Sequence, residues 1–163
     1  VVPNHQLNRK TPLHTRANVA YFGTFGYELD LNKLSDEEIS EVKQQITFMK
    51  EYRELIQFGT FYRLKSPFEG NETVWMTVSE DKKTALVFWY RERNVVNADF
   101  TRVRLQGLDP DLIYRNEYNG TENYGDELMN LGLLTTDCTA GEPTSEDAPC
   151  TDYESRIYVL TAK

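Results

Sequence analysis

The hydrophobic repeat of this chain changes at Gly59, from the period of a helix to the period of a strand. Before it, Ile39, Val42, Ile46, Met49, Arg53 and Ile56 recur at intervals of three and four. With Phe48, Tyr52 and Leu55 beside them, they form a stripe that is apolar except at Arg53. Ser35 precedes Asp36, Glu37 and Glu38, so a Ser-x-x-Glu capping box opens the stripe. Its acidic first turn suits the positive end of the helix dipole. The pattern predicts one amphipathic helix over 36–57, ended by Gly59. An apolar face of that length needs a partner surface. Residues 1–35 offer only a short helix near 15–21 and the glycine-rich turn from Phe22 to Gly26, too little to close a core alone.

After Gly59 the runs are short, β-branched and aromatic: 60–64, 73–78 and 84–90, the last two separated by a polar turn at 79–83. Residues 101–105 alternate Val103 and Leu105 with Arg102 and Arg104, as a half-buried strand does. Asp109-Pro110-Asp111 is a turn before 112–118, and Asn119-Gly120 is a hairpin-type turn. Runs at 127–131 and 156–161 complete the set. Seven or eight short strands with regular turns predict an antiparallel β-sandwich. Residues 135–155 hold six acidic and no basic groups among Gly, Pro, Ser and Thr, and read as a solvated loop.

Charge and composition narrow the function classes. The 163 residues carry 18 basic and 26 acidic groups, net −8, which disfavours a phosphate backbone as partner. The imbalance lies in the strand-rich part: 11 basic against 18 acidic beyond residue 58, net −7, and 7 against 8 before it, net −1. No run of apolar residues is long enough to predict a membrane-spanning helix, and the first residues do not resemble a secretory leader. Two cysteines, Cys138 and Cys150, are too few for a disulfide scaffold. Bonded, they would clip the acidic loop, for about 3 kcal/mol in the chain-entropy account. In a reducing compartment both are free thiols.

The candidate chemistry is sparse. His5 and His14, the two histidines, stand nine positions apart and match no zinc spacing, so no metal or cofactor site is expected. Neither a nucleophile elbow nor a phosphate-cradling loop is present. Glu28 and Asp30 are two carboxylates two positions apart, a spacing that suits turn ligands and caps better than a facing acid/base pair. Trp75 and Trp89 are candidates for stacking on a sugar ring, against the simpler reading as core. Trp89 and Tyr90 face opposite ways in a regular strand, so at most one can join Trp75. Asn71-Glu72-Thr73 and Asn119-Gly120-Thr121 match the glycosylation acceptor pattern, which matters only in a secreted protein.

Longer stretches are more specific. The N-terminal run from Val2 to Arg9 (Val-Pro-Asn-His-Gln-Leu-Asn-Arg), the Thr11-to-Arg16 segment and Phe25-Gly26-Tyr27-Glu28-Leu29-Asp30 resemble the C-terminal end of α-galactosidases of glycoside hydrolase family 36. So do the run from Tyr52 to Gln57, Phe61-Tyr62-Arg63-Leu64, the run from Ser66 to Asn71, and Leu105-Gln106-Gly107-Leu108-Asp109-Pro110. The endings Glu127-Leu128-Met129-Asn130 and Ser155 to Leu160 fit too, and the resemblance is to Lactobacillus-type enzymes in particular. It covers nearly the whole chain in order, with 135–152 as a local insertion.

The resemblance implies a mainly β architecture: a C-terminal antiparallel β-sandwich, residues 59–163, preceded by a helical segment, residues 1–58, from the end of a catalytic (β/α)8 barrel. The helix at 36–57 would be the final barrel helix. The implied activity is retaining hydrolysis of terminal α-galactosides of the melibiose and raffinose type, in a cytoplasmic enzyme with no cofactor. Both catalytic aspartates of the family would lie before Val1, so no catalytic residue is assigned in this chain, whose own role would be structural. Pro3, Asn4, His5 and Gln6 would follow the last barrel strand, with Asn4 and His5 supporting the active-site rim. The implied partners are the α-galactoside substrate, the rest of the barrel and further copies of the enzyme. No nucleic acid and no membrane are expected. The alternative is a carbohydrate-binding β-sandwich module, without hydrolase activity, that uses Trp75 or Trp89.

Overall fold

The Ser35 cap forms as its sequence dictates. The Glu38 amide donates to Ser35 Oγ at 3.2 Å, and the Ser35 amide donates to Glu38 Oε2 at 3.0 Å. Two helix-start donors are thereby satisfied reciprocally. The computed structural model describes residues 11–93, 101–135 and 152–163, and the chain divides between Gln57 and Phe58 into two compact units.

The first unit holds α1 (Leu13–Ala20), a 3-10 turn (Leu31–Lys33) and α2 (Asp36–Phe58). Val42, Gln45 and Met49 are the buried residues of α2, so its inner stripe has a polar member at Gln45. Arg53, the one charged position on the expected stripe, is exposed. The two elements are joined through aromatic rings. Tyr21, directly after α1, stacks on Phe25 with centroids 4.9 Å apart and meets Phe48 of α2 at 4.9 Å. Tyr52 continues the row at 4.8 Å from Phe48.

The second unit is antiparallel sheet. Strands β1 (Thr60–Lys65), β2 (Glu72–Val78), β3 (Thr84–Arg91), β5 (Ile113–Asn116), β6 (Glu122–Tyr124) and β8 (Glu154–Ala162) form a six-stranded sheet in the order β1-β2-β3-β8-β5-β6. The short β4 (Arg102–Val103) and β7 (Leu133–Leu134) form a second sheet. The period of two sends Val74, Met76, Val78, Ala85, Val87, Trp89, Tyr158 and Leu160 to one face. Val103, Leu105, Leu108, Leu128 and Leu133 pack on that face and close the core. Leu86 and Phe88, on the opposite side of β3, are buried as completely, so the central strand is apolar on both faces.

The last strand in sequence, β8, sits between β3 and β5. Tyr114 ties neighbouring turns together: its hydroxyl donates to the carbonyl of Lys82 at 2.6 Å and accepts the Asp109 amide at 2.9 Å. Gly125 is a required glycine, because a Cβ there would stand 2.0 Å from the Asp109 carbonyl oxygen.

One expected strand is a helix. The run at 127–131 lies in α3 (Gly125–Asn130) and the turn after it. Asp126 and Glu127 occupy the first turn, where the dipole favours acids, and Leu128 is the apolar anchor turned into the core. Gly132, at φ +91°, ends the element by accepting a backbone conformation that other residues avoid. Strand-like composition over so short a run was overridden by this capping chemistry.

Candidate functional site

The two tryptophans of the sheet have different fates. Trp89 is 1% exposed and lies on the core face. The Arg91 guanidinium is 5.3 Å from its ring centroid and that of Arg156 is 5.8 Å away. A ring packed in this way presents no face to a sugar, so the stacking role considered for Trp89 is corrected to core packing. Trp75 points to the other face and is half-buried, in edge-on contact with Tyr90 at 5.7 Å and tilted against Phe61 at 6.3 Å. Tyr90 is thus the aromatic neighbour that joins Trp75. Burial pushes its phenol above the ordinary value of 10.0.

Around Trp89 the sheet builds a charged clip. Glu154 Oε2 pairs with Arg91 Nη2 at 2.5 Å, and Glu154 Oε1 with Arg156 Nη2 at 2.6 Å. Register explains it: Arg91 faces Glu154 and Trp89 faces Arg156 across the β3–β8 ladder. Arg156 also lies 5.5 Å over the ring of Tyr118. Both carboxylate oxygens are engaged within the fold, so this group joins strands and is not presented to a ligand. The signal in the sequence is the parity that Glu154 and Arg156 share with Tyr158 and Leu160.

The first unit holds a cleft of about 220 Å³ lined by α1, the following extended segment and α2. Its polar groups are Arg16, Tyr27, Glu28 and Gln45, among apolar walls that include Leu13, Phe25 and Leu29. Gln45 organises one side. Its Oε1 accepts the Tyr27 hydroxyl at 2.5 Å, its Nε2 donates to Glu41 at 2.8 Å, and its main-chain oxygen accepts the Tyr21 hydroxyl at 3.2 Å. Desolvation pushes the phenols of Tyr21 and Tyr27 above their ordinary value, and the Glu41 carboxylate adds to the effect. Arg16 Nε is buried with no hydrogen-bond partner among the described residues.

The remaining candidates behave as ordinary structure. Asp30 caps the 3-10 turn, accepting the Asn32 amide at 3.1 Å, and pairs with Lys33 at 3.9 Å. Glu28 is exposed at the cleft rim. His14 is exposed on α1, and among the described residues no three His, Cys, Asp or Glu side chains gather to hold a metal ion. Asn71 accepts the Arg93 amide at 2.9 Å and fastens the end of the β2–β3 pair. Asn119 accepts the Thr121 hydroxyl at 2.7 Å within its turn. Asn4, His5, Cys138 and Cys150 lie outside the described residues.

Comparison with known proteins supplies what this geometry alone does not. The sequence profile described as Melibiase matches residues 1–59, and the glycosyl hydrolase family 36 C-terminal domain matches residues 72–160. The chain is 52% identical over 132 residues, 81% of its length, to the α-galactosidase AgaA of Geobacillus stearothermophilus, where the match spans 18% of that protein. It is 43% identical over 162 residues to α-galactosidase 1 of Pediococcus pentosaceus, covering 99% of this chain and 21% of the relative. The solved α-galactosidase of Lactobacillus brevis superposes on the full chain with a TM-score of 0.89 at 41% identity, over 22% of its own length. A variant of the Geobacillus enzyme solved with raffinose superposes with a TM-score of 0.88 at 44% identity. The chain therefore spans about a fifth of the length of these relatives. Both profiles fall in sequence order along one chain whose fold follows the solved enzymes throughout, and the chain belongs to glycosyl hydrolase family 36.

Proposed function

We propose that these residues are the C-terminal fifth of a retaining α-galactosidase that hydrolyses terminal α-galactosides of the melibiose and raffinose type. Their own role in that enzyme is structural: residues 1–58 complete the catalytic (β/α)8 barrel, and the sheet unit from residue 59 supports it. The observation that carries this reading is the continuous match of the whole chain to one stretch of solved α-galactosidases. The chemistry is in keeping with it. The carboxylates of the two described clusters, Glu154 and Asp30, are engaged in ion pairs or caps. Retaining hydrolysis needs a nucleophilic carboxylate and an acid/base facing each other at roughly 5–5.5 Å. In this reading that pair belongs to the preceding part of the barrel, and Asn4 and His5 support the rim of the same site.

The test is an assay of two polypeptides on raffinose and melibiose. The 163-residue chain is expected to release no galactose, and a longer polypeptide that includes the preceding barrel is expected to release it with retained anomeric configuration. Galactose release by the 163 residues alone, or none by the long form, overturns the reading. A cytoplasmic location belongs to the same reading and expects two titratable thiols, Cys138 and Cys150, in the native protein. Contacts between copies through the sheet unit belong to it too, and light scattering of the long form with and without residues 59–163 measures them.

A further inference from the structure

We propose that Asn119 is a site of spontaneous modification, deamidating to aspartate and isoaspartate through a succinimide closed by Gly120, and that the folded β5–β6 turn holds this reaction back. The chemistry needs water and no enzyme, so it holds whatever the polypeptide catalyses and wherever it resides.

Asn119-Gly120 is the one Asn-Gly step in the 163 residues. Succinimide formation requires the backbone nitrogen of the following residue to reach the side-chain carbon of the asparagine. A side chain on that following residue obstructs the approach, and glycine has none. Asn71, the other asparagine in an acceptor pattern, is followed by Glu72 and lacks this freedom. In the first step the Gly120 amide gives up its proton to solvent and its nitrogen attacks Asn119 Cγ. The new N–C bond closes the ring. The bond from Cγ to the side-chain nitrogen breaks, and that nitrogen takes up a proton and leaves as ammonia. Water then opens the ring at either carbonyl. Opening at Cγ gives aspartate, and opening at the main-chain carbonyl gives isoaspartate, whose chain runs through Cβ and Cγ. The net exchange is a water taken up and an ammonia lost, with nothing oxidised or reduced.

The turn combines access with restraint. Asn119, Gly120 and Thr121 are exposed, and a Cβ added at Gly120 would meet nothing within 4 Å, so water reaches the step. Both reacting groups are nevertheless engaged. The Gly120 amide, which must lose its proton to attack, donates to the Asn116 carbonyl at 2.7 Å. Asn119 Oδ1 accepts the Thr121 amide at 3.1 Å and the Thr121 hydroxyl at 2.7 Å, which holds the side chain toward residue 121. The Asn116 amide donates to the Thr121 carbonyl at 2.8 Å and closes the loop, with Gly120 at φ +73°. Ring closure therefore requires the side chain to leave Thr121 and the Gly120 amide to leave Asn116. Three hydrogen bonds of ordinary net strength multiply to a slowing on the order of a hundredfold. Isoaspartate adds a carbon to the main chain of a loop whose length sets the β5–β6 register, so the modified turn loses that register.

Peptide mapping by mass spectrometry tests this on the 163-residue chain, aged at mildly alkaline pH with and without denaturing guanidinium. In guanidinium, Asn119 is expected to convert ahead of every other asparagine and to give both products. In the folded chain the same conversion should run about a hundredfold slower. Aspartate without isoaspartate means direct hydrolysis and overturns the succinimide route. Another asparagine converting first overturns the site, and equal rates in the two conditions overturn the restraint. Thr121→Val removes the hydroxyl bond and keeps the amide one. It should speed conversion in the folded chain about fivefold and leave the rate in guanidinium unchanged. Thr121→Ser keeps the hydroxyl and should keep the slow rate, which separates the bond from the methyl group. Equal folded rates for the two variants also overturn the restraint. Asn119→Gln, whose longer side chain closes its larger ring far more slowly, should remove both products, and isoaspartate persisting there places the reaction elsewhere.

Discussion

The two units of this protein satisfy their backbones to different degrees. The sheet unit is closed. Its central strands pair on both sides, and its core face is covered by residues from β4, β7, α3 and their flanking loops. Glu154 pairs with both Arg91 and Arg156, although Arg91 Nε has no hydrogen-bond partner among the described residues. The first unit differs among its described residues. Two helices meet through Tyr21, Phe25 and Phe48, but residues 24–29 between them make no backbone–backbone hydrogen bond among the described residues. The difference teaches that helices and strands complete their backbones in different ways. Apolar packing suffices to join helices side by side, whereas an extended segment needs a ladder supplied by other strands.

The largest effect should come from ending the chain before Glu154. That removes β8, splits β3 from β5 and deletes the core side chains Tyr158 and Leu160. Amide protection throughout the sheet is expected to vanish while helical circular dichroism from α2 persists. If β2 and β3 stay protected, the sheet does not depend on its last strand.

Trp89→Ala comes next. It empties a fully buried site and should lower the stability of the sheet unit by about 3–5 kcal/mol, read from its urea midpoint, with the denaturant slope unchanged. A loss under about 1 kcal/mol would mean that the ring contributes little to the core, and would reopen it as a ligand platform.

In the first unit, Gln45→Leu strands the Tyr27 hydroxyl and releases Glu41. We expect a loss of about 1–2 kcal/mol in the helical transition and none in the sheet. Ser35→Ala should cost about 1 kcal/mol in the same transition by removing the cap, and Ser35→Thr should restore most of it.

Alkaline pH gives the smallest effect near neutrality. The phenols of Tyr21 and Tyr90 are held above the ordinary 10.0 by burial, so the folded state keeps protons that the unfolded chain loses. The stability they contribute is fully present below pH 10.0 and declines as pH rises beyond it. Tyrosinate absorbance should therefore appear together with unfolding. Ionisation of all ten tyrosines while circular dichroism is unchanged would contradict the burial of both rings.

Much of this was legible in the residues. The capping box at Ser35 placed the start of α2, because cap donors and acceptors lie within one turn of chain. The β-branched and aromatic runs at 73–78 and 84–90, with the polar turn between them, placed β2 and β3, and the period of a strand sorted Trp89 from Tyr90. The spacing of Glu28 and Asp30 suits turn ligands, and Asp30 is one. The helix at α3 was missed because its six residues carry too few turns for a period to emerge. The Glu154 clip was missed because Arg91 lies 63 residues away in sequence, and no local pattern announces a partner at that distance.

Taken alone, the sequence determined the start and end of α2, the strand character of β2 and β3, and the family to which the chain belongs. These are properties of short-range chemistry or of the order of motifs along the chain. Only the tertiary structure decided that β8 enters the middle of the sheet, that Trp89 is buried with two guanidinium groups near its ring, and that residues 24–29 make no backbone–backbone hydrogen bond among the described residues. Each depends on which distant segments meet, and burial and hydrogen-bond completion are settled only when they do.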